Sequence, residues 1–296
     1  MEKLKSFWKR NWVGYFFLTP WLFGLFALSA IPMGASLYLS FTNYDMFTSP
    51  VWAGFENYSS MMQDSKWQSA IKVTISYVFL GVPLQLIFAL SVALLLNRGI
   101  RGIKFYRAIY YVPSLFGGSV AIALLWRQLF GREGVVNVIL SHFGIEGMNW
   151  IATPDTALYT LIILKVWQFG APMVIFLAGL KQVPVELYEA SKIDGAGKWK
   201  QFLKITLPLI TPVVFFNLVM QIIAAFQAFT PAYIVSGGSG GPLDSTLFYT
   251  LYLYQKGFGH FQMGYASAMA WFLLIMISIL TALVFVTSKK WVYYQE

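Results

Sequence analysis

Apolar residues along this chain come in blocks, at about residues 13–40, 71–96, 105–130, 156–180, 209–235 and 263–288. Each block is long enough, at ~1.5 Å of rise per residue, to cross a hydrocarbon layer of ~30 Å as a helix. The pattern predicts an all-α integral membrane protein with six transmembrane helices. Pro20 and Pro32 in the first block predict kinks in a helix packed against neighbours. The third block contains Pro113 and the pair Gly117-Gly118, and Pro212 stands in the first turn of the fifth. Ser236-Gly237-Gly238-Ser239-Gly240-Gly241-Pro242 breaks the chain after the fifth block. Residues 41–70, 131–154 and 243–261 read as polar or semi-polar loops. Ala27-Leu28-Ser29 has the small-x-small spacing of a signal-peptide cleavage site. The apolar run continues well past it, so the first block reads as an uncleaved span.

Composition agrees with this reading. The 296 residues are 58% hydrophobic and 11% charged, where a soluble domain carries about 25% charge. No cysteine is present, which excludes disulfides, thiolate metal sites and thiol catalysis. His142 and His260 fall in loops far apart in sequence and read as solvated histidines, with no metal site implied.

The net charge of +9 needs no nucleic-acid partner if the basic residues cluster on one membrane face. Six spans leave both termini on the same side. That side would hold Lys3, Lys5, Lys9, Arg10, Arg98, Arg101, Lys104, Arg107, Lys181, Lys192, Lys198, Lys200, Lys204, Lys289 and Lys290, fifteen of the 21 basic residues. The bias predicts cytoplasmic N- and C-termini and a cytoplasmic loop at 181–208. It divides the chain into three parts. Residues 1–70 hold an N-terminal cytoplasmic segment, the first span and an external loop. Residues 71–288 hold five spans, and 289–296 form a cytoplasmic tail.

The loop at 184–208 overlaps Glu189–Pro212, the most charged stretch of the C-terminal half. Pro184 and Glu186 suit the first turn of a helix running from Val185 to Asp194. Gly195 and Gly197 stop it. A second short helix, Lys198 to Thr206, places Trp199, Phe202, Leu203 and Thr206 on one face. Two helices joined at a glycine elbow make a compact projection with small residues, Ala190, Ser191 and Gly195, available for close contact. It serves either to dock another protein or to rest on lipid headgroups, which the lysines and Trp199 also suit.

Glu189-Ala190-Ser191, three residues, Gly195, nine residues and Ile205-Thr206-Leu207-Pro208 resemble the EAA motif, EAA-x3-G-x9-I-x-L-P, of permease subunits of bacterial ABC importers. Only Ser191 departs, replacing one small residue with another. Phe105-Tyr106-Arg107, Pro113, Trp126-Arg127, Phe176-Leu177-Ala178-Gly179-Leu180, Gly240-Gly241-Pro242 with Ser245-Thr246, and Gly264-Tyr265-Ala266-Ser267-Ala268 are similar to the carbohydrate-uptake branch. The resemblance covers nearly the whole chain and implies the ABC transporter type-1 permease fold in a bacterial inner membrane. It also implies a second permease subunit, an ATP-hydrolysing dimer, an extracytoplasmic solute-binding protein and a carbohydrate substrate. Glu189, Ala190, Ser191, Asp194, Gly195, Ile205, Leu207 and Pro208 would then be ATPase-coupling residues.

No G-x-x-x-x-G-K-[ST] motif occurs, and no Ser/His/Asp grouping or carboxylate pair suggests an enzyme. Any ATP would be bound by partner subunits, and no cofactor is implied. Polar side chains inside spans mark a translocation path because burying them in lipid is costly. Gln85, Lys165, Gln168, Asn217, Gln221 and Gln227 are the candidates. Lys165 either pairs helices, including with a carboxylate on a neighbouring subunit, or lines the cavity, and the amides suit either sugar hydroxyls or helix–helix hydrogen bonds. The competing class is a secondary transporter or channel without an ATPase. It would place ion-coupling carboxylates inside spans, and none of the 12 acids lies well inside one.

Overall fold

The computed structural model describes the backbone of residues 2–99 and 102–293, and side chains from Asn11 onward. Lys3, Lys5, Lys9, Arg10 and Arg101 of the charge pattern lie outside the described side chains. The chain divides into two compact units, Met1–Gln63 with Tyr254–Leu273, and Asp64–Leu253 with Leu274–Glu296.

In the first unit, α1 (Glu2–Leu25) passes through a π-helical turn, Phe26–Ala30, into α2 (Ile31–Ser40). Asn11–Ser40 forms one continuous apolar helix of 30 residues, with Pro20 and Pro32 both inside it. The wide turn supplies the reason. Proline at 32 has no amide for the carbonyl four residues back, and its ring would strike that carbonyl. Just before it, Ile31 N reaches back five residues to Phe26 O, which loosens the winding. None of residues 11–39 is buried, although Phe16, Phe17, Trp21 and Phe23 are large and apolar. Such a helix is covered by lipid or by another protein.

Beyond it, β1 (Thr42–Asn43) pairs antiparallel with β2 (Val51–Trp52). α3 (Glu56–Gln63) follows. Asn57 Nδ2 donates to the Ser40 and Thr42 carbonyls at 2.9 Å, while Trp52, Phe55 and Tyr58 surround the Phe41 ring. The stretch read as an open loop is thus folded, because side-chain amides and rings satisfy what a short hairpin cannot.

The second unit is built around α4 (Ser65–Leu96), which begins several residues before its apolar block. Asp64 explains the early start: its carboxylate accepts from Lys66 N at 3.0 Å and Trp67 N at 3.4 Å, an N-cap. The next apolar block is not one crossing. α5 (Ile103–Phe116) and α6 (Val120–Leu129) meet at 98° across Gly117-Gly118, and Ser119 caps α6 by accepting from Ile122 N. α7 (Val135–His142) lies inside the anticipated loop. The fourth block divides into α8 (Pro154–Trp167) and α9 (Gly170–Leu180), bent by 42°.

In the polar loop, α10 (Val185–Ile193) runs as expected to within a residue. α11 (Lys198–Gln201) continues through a π-helical turn, Phe202–Thr206, into α12 (Leu207–Leu209). Pro208 follows this wide turn by two residues, as Pro32 follows the other. The helix therefore runs through Pro208 and turns by 65° into α13 (Thr211–Phe226). α13 stops at Gln227 and a separate α14 (Thr230–Val235) follows, with Pro231 in its first turn, so the fifth block is also broken. A glycine loop with positive φ at Gly237, Gly238, Gly240 and Gly241 leads to α15 (Tyr249–Tyr254). A third π-helical turn, Gln255–Gly259, precedes α16 (Met263–Ser288), the uninterrupted last block. The described residues thus hold three unbroken apolar helices and three bent pairs, at most six spans. α4 packs on α8, α9 and α13, and its outer face, Phe79, Leu84 and Ile87 among it, remains apolar and exposed.

Candidate functional site

The helix breaks of the second unit come together. α4 supplies Tyr77 and Gln85, the α5–α6 corner Ser114, Gly117 and Gly118, and the α8–α9 bend Lys165 and Gln168. The end of α13 adds Gln221, Gln227, Phe229 and Thr230. These side chains line a cavity of about 350 Å³.

The polar groups there first repair the backbone. Pro172 has no amide to offer the Gln168 carbonyl, four residues before it. That carbonyl accepts instead from Gln85 Nε2 and from Ser114 Oγ, both at 3.0 Å. Ser114 Oγ also accepts from Ala171 N at 2.9 Å, and Gln168 Nε2 donates to Gly117 O at 2.8 Å. Three side chains thereby close the hydrogen bonds that two broken helices leave open, which membrane-depth backbone requires.

The fit is tight. A Cβ on Gly117 would sit 2.2 Å from Gln168 Cδ, and one on Gly170 would sit 2.1 Å from Tyr110 O. Lys165 is buried, with Nζ 3.5 Å from Gln221 Oε1 and 5.9 Å from the centre of the Tyr77 ring. It thus lines the cavity and joins α8 to α13. Asn217 stands apart from the other candidates. It is buried one turn before Gln221 and donates to Pro172 O at 3.5 Å, in the packing of α13 on α9. Ser114 and Tyr77 escaped the sequence reading. A hydroxyl one residue after Pro113 and three before the glycine pair was the available signal for Ser114.

The elbow lies elsewhere in the same unit. Glu189, Ala190, Asp194 and Gly195 are exposed, as are Ile193 and Trp199, while Ser191, Ile205, Leu207 and Pro208 are half-buried. Gly195 has φ +72°, and Ala196 N returns to Ser191 O at 2.9 Å, which closes the α10 terminus. Tyr188 Oη and Thr206 Oγ1 lie 2.8 Å apart, and Gln201 Nε2 donates to Ser191 Oγ at 2.8 Å. The inward side of α11 and of the π-helical turn after it is therefore polar, made by buried Gln201 and Thr206. Trp199, which the spacing puts on one face with Phe202, Leu203 and Thr206, is 72% exposed and stacks on Phe202. Polar cross-links thus join α10 to the helix that follows it.

Apolar helices of membrane-crossing length, broken around a polar cavity, with a charged elbow outside the apolar stretches, define a membrane-spanning transport component. The chain belongs to the family of binding-protein-dependent transport system inner membrane components, whose family model matches residues 51–291. It is 52% identical over 298 residues to the probable ABC transporter permease protein YesP of Bacillus subtilis, covering 100% of this chain and 96% of that one. It is 30% identical to the probable starch degradation products transport system permease protein AmyD of Thermoanaerobacterium thermosulfurigenes, over 98% of this chain and 99% of that one. Among solved structures, a chain of a bacterial alginate ABC transporter in complex with its periplasmic protein superimposes with a TM-score of 0.83 at 22% identity, over 97% and 98% of the two chains. The likeness to ABC-importer permeases drawn from residues 189–208 holds, and a secondary transporter gains no support.

Proposed function

We propose that this chain is one of two permease subunits of a type I ABC importer and passes a sugar through the cavity at the helix breaks. A 30%-identical relative named for starch degradation products supports a carbohydrate cargo. In this reading the three unbroken helices and three bent pairs are six spans of a bacterial inner-membrane protein. Both termini are cytoplasmic, in keeping with the charge bias. Residues 71–288 form the transport domain, preceded by 1–70 and followed by the tail 289–296. An external binding protein delivers the cargo. A partner ATPase dimer binds and hydrolyses ATP, and this chain catalyses no reaction and holds no cofactor.

The observation that carries the reading is the elbow: exposed small residues at Ala190 and Gly195, held in shape by the Ser191–Gln201 and Tyr188–Thr206 bonds. Glu189, Ala190, Ser191, Asp194 and Gly195 form the docking face. Ile205, Leu207 and Pro208 tie its motion to α13, and ATP-driven closure of the partner reaches the cavity as a rigid-body push. Lys165, Gln168, Gln221 and Gln227 line the path, and Asn217 supports it.

Gly195→Asp tests the coupling. Nothing lies within 4 Å of a Cβ there, so the change adds a charge and left-handed strain without a clash. Membrane insertion is expected to survive, with transport lost or ATPase activity released from substrate control. Gly195→Asn, similar in size and in tolerance of the left-handed conformation but uncharged, retains more coupling. Normal substrate-stimulated ATPase activity in the Asp variant refutes the docking role.

A further inference from the structure

Among the described residues, Lys165 is the one basic side chain lining the cavity, and the packing leaves its charge unanswered. The residue is only 6% exposed. An ammonium has three protons to place. Here it finds one amide oxygen at 3.5 Å and a ring face at 5.9 Å, and no carboxylate among the described residues pairs with it. Its stem lies against Gly81, where even a Cβ would come within 3.0 Å of Cδ, so the side chain cannot swing away on that side. A buried cation without a counter-charge costs several kcal/mol. The rest of the wall offers the amides of Gln168, Gln221 and Gln227 and the rings of Tyr77 and Phe229. These are groups that fit hydroxyls and the flat faces of sugar rings.

We infer that the missing counter-charge arrives with the cargo: Lys165 recognises a carboxylate on a saccharide, and the substrate class is an acidic, uronate-type sugar. The inference rests on the reading of this chain as a sugar permease. Charge matching selects the anion. One ammonium balances the single charge of a carboxylate, whereas a phosphate monoester carries about −1.5 to −2 at neutral pH and would bring excess negative charge into the cavity. The uncompensated cation also discriminates against neutral sugars, which leave it buried and unpaired.

The test uses the complete transporter in vesicles: this chain with its partner permease, ATPase and binding protein. ATP-driven uptake is measured for a uronate disaccharide, its carboxyl-reduced neutral counterpart and a sugar phosphate. Because the binding protein imposes its own selectivity, the same three probes are titrated onto the transporter without it, by tryptophan fluorescence. The wild type is expected to prefer the uronate in both measurements. Lys165→Gln should reduce uronate uptake and affinity by about tenfold or more and narrow or abolish the preference over the neutral sugar, without a matching loss for the neutral sugar, and Lys165→Arg should keep most of the preference. Equal loss for charged and neutral probes assigns Lys165 to holding α8 against α13 and overturns the inference. Preference for the phosphate or for the neutral sugar overturns it also, while leaving the permease reading intact. Absence of uptake and of ATPase stimulation with every sugar strikes the permease reading itself.

Discussion

Gly170→Ala is the substitution that the geometry makes most costly. The glycine opens α9 where α5 crosses it, and the added methyl would meet Tyr110 O at 2.1 Å, Tyr111 Cα at 2.7 Å and Ser114 Oγ at 2.9 Å. Two of these are backbone atoms and cannot rotate aside. Ordinary contact begins near 3.4 Å, so α5 must retreat by about 1 Å. That retreat draws Ser114 Oγ out of reach of both Gln168 O and Ala171 N, now 3.0 and 2.9 Å away. Two hydrogen bonds at about 1 kcal/mol each, plus about 1–3 kcal/mol for overpacking, give a loss of roughly 3–5 kcal/mol. At roughly 2–4 °C per kcal/mol, the melting temperature of the purified transporter should fall on the order of 10 °C, read by tryptophan fluorescence. Gly118→Ala is the control: nothing lies within 4 Å of its Cβ, and its melting should match the wild type to within about 0.5 kcal/mol. A Gly170→Ala protein melting within a degree of the wild type would show that α5 does not depend on this close approach.

Two other regions give sharp expectations. Ser191→Ala restores the small apolar residue of the family motif but leaves buried Gln201 Nε2 with only Tyr188 O, at 3.4 Å; hydrogen exchange at the Ala196 amide should quicken about fivefold, and unchanged exchange would show that the bond does not brace the elbow. Tyr252 Oη donates to Asp64 Oδ2 at 2.5 Å, while Asp64 Oδ1 caps α4, so Asp64→Ala should cost about 1–3 kcal/mol and Tyr252→Phe less, by denaturant or thermal melting. Burial first, and then the Asp64 carboxylate, raise the Tyr252 phenol above the ordinary tyrosine value of 10.0. The fold favours the neutral phenol, so this contribution is complete below pH 10 and is lost as the pH rises through the folded-state value. Tyr252→Phe should therefore flatten the alkaline loss of stability, and an unaltered alkaline slope would exclude that tyrosine as its source.

Hydropathy located every apolar block, because a bilayer demands length and apolarity before anything else. Motif spacing at 189–208 placed the elbow, and Gly195 takes the left-handed backbone that its position requires. Polar residues inside blocks pointed to one place, since Gln85, Lys165, Gln168, Gln221 and Gln227 do meet at one cavity. Hydropathy could not tell a straight crossing from a bent pair. A glycine pair or a proline is tolerated within a helix or breaks it according to whether other side chains satisfy the freed carbonyl, and those lie far away in sequence. The Gln168 carbonyl is the instance: Pro172 frees it, and Gln85 and Ser114, from two other helices, receive it. At Pro32 and Pro208 the chain chose a wide turn instead, and the helix continued. Nor does spacing alone separate Asn217, held in packing, from Gln221, four residues on, at the cavity wall. The sequence by itself determined where the membrane blocks and the elbow lie, because those follow from local composition. Only the tertiary structure decided where helices break and which polar groups face the cavity, because both depend on partners that folding alone brings together.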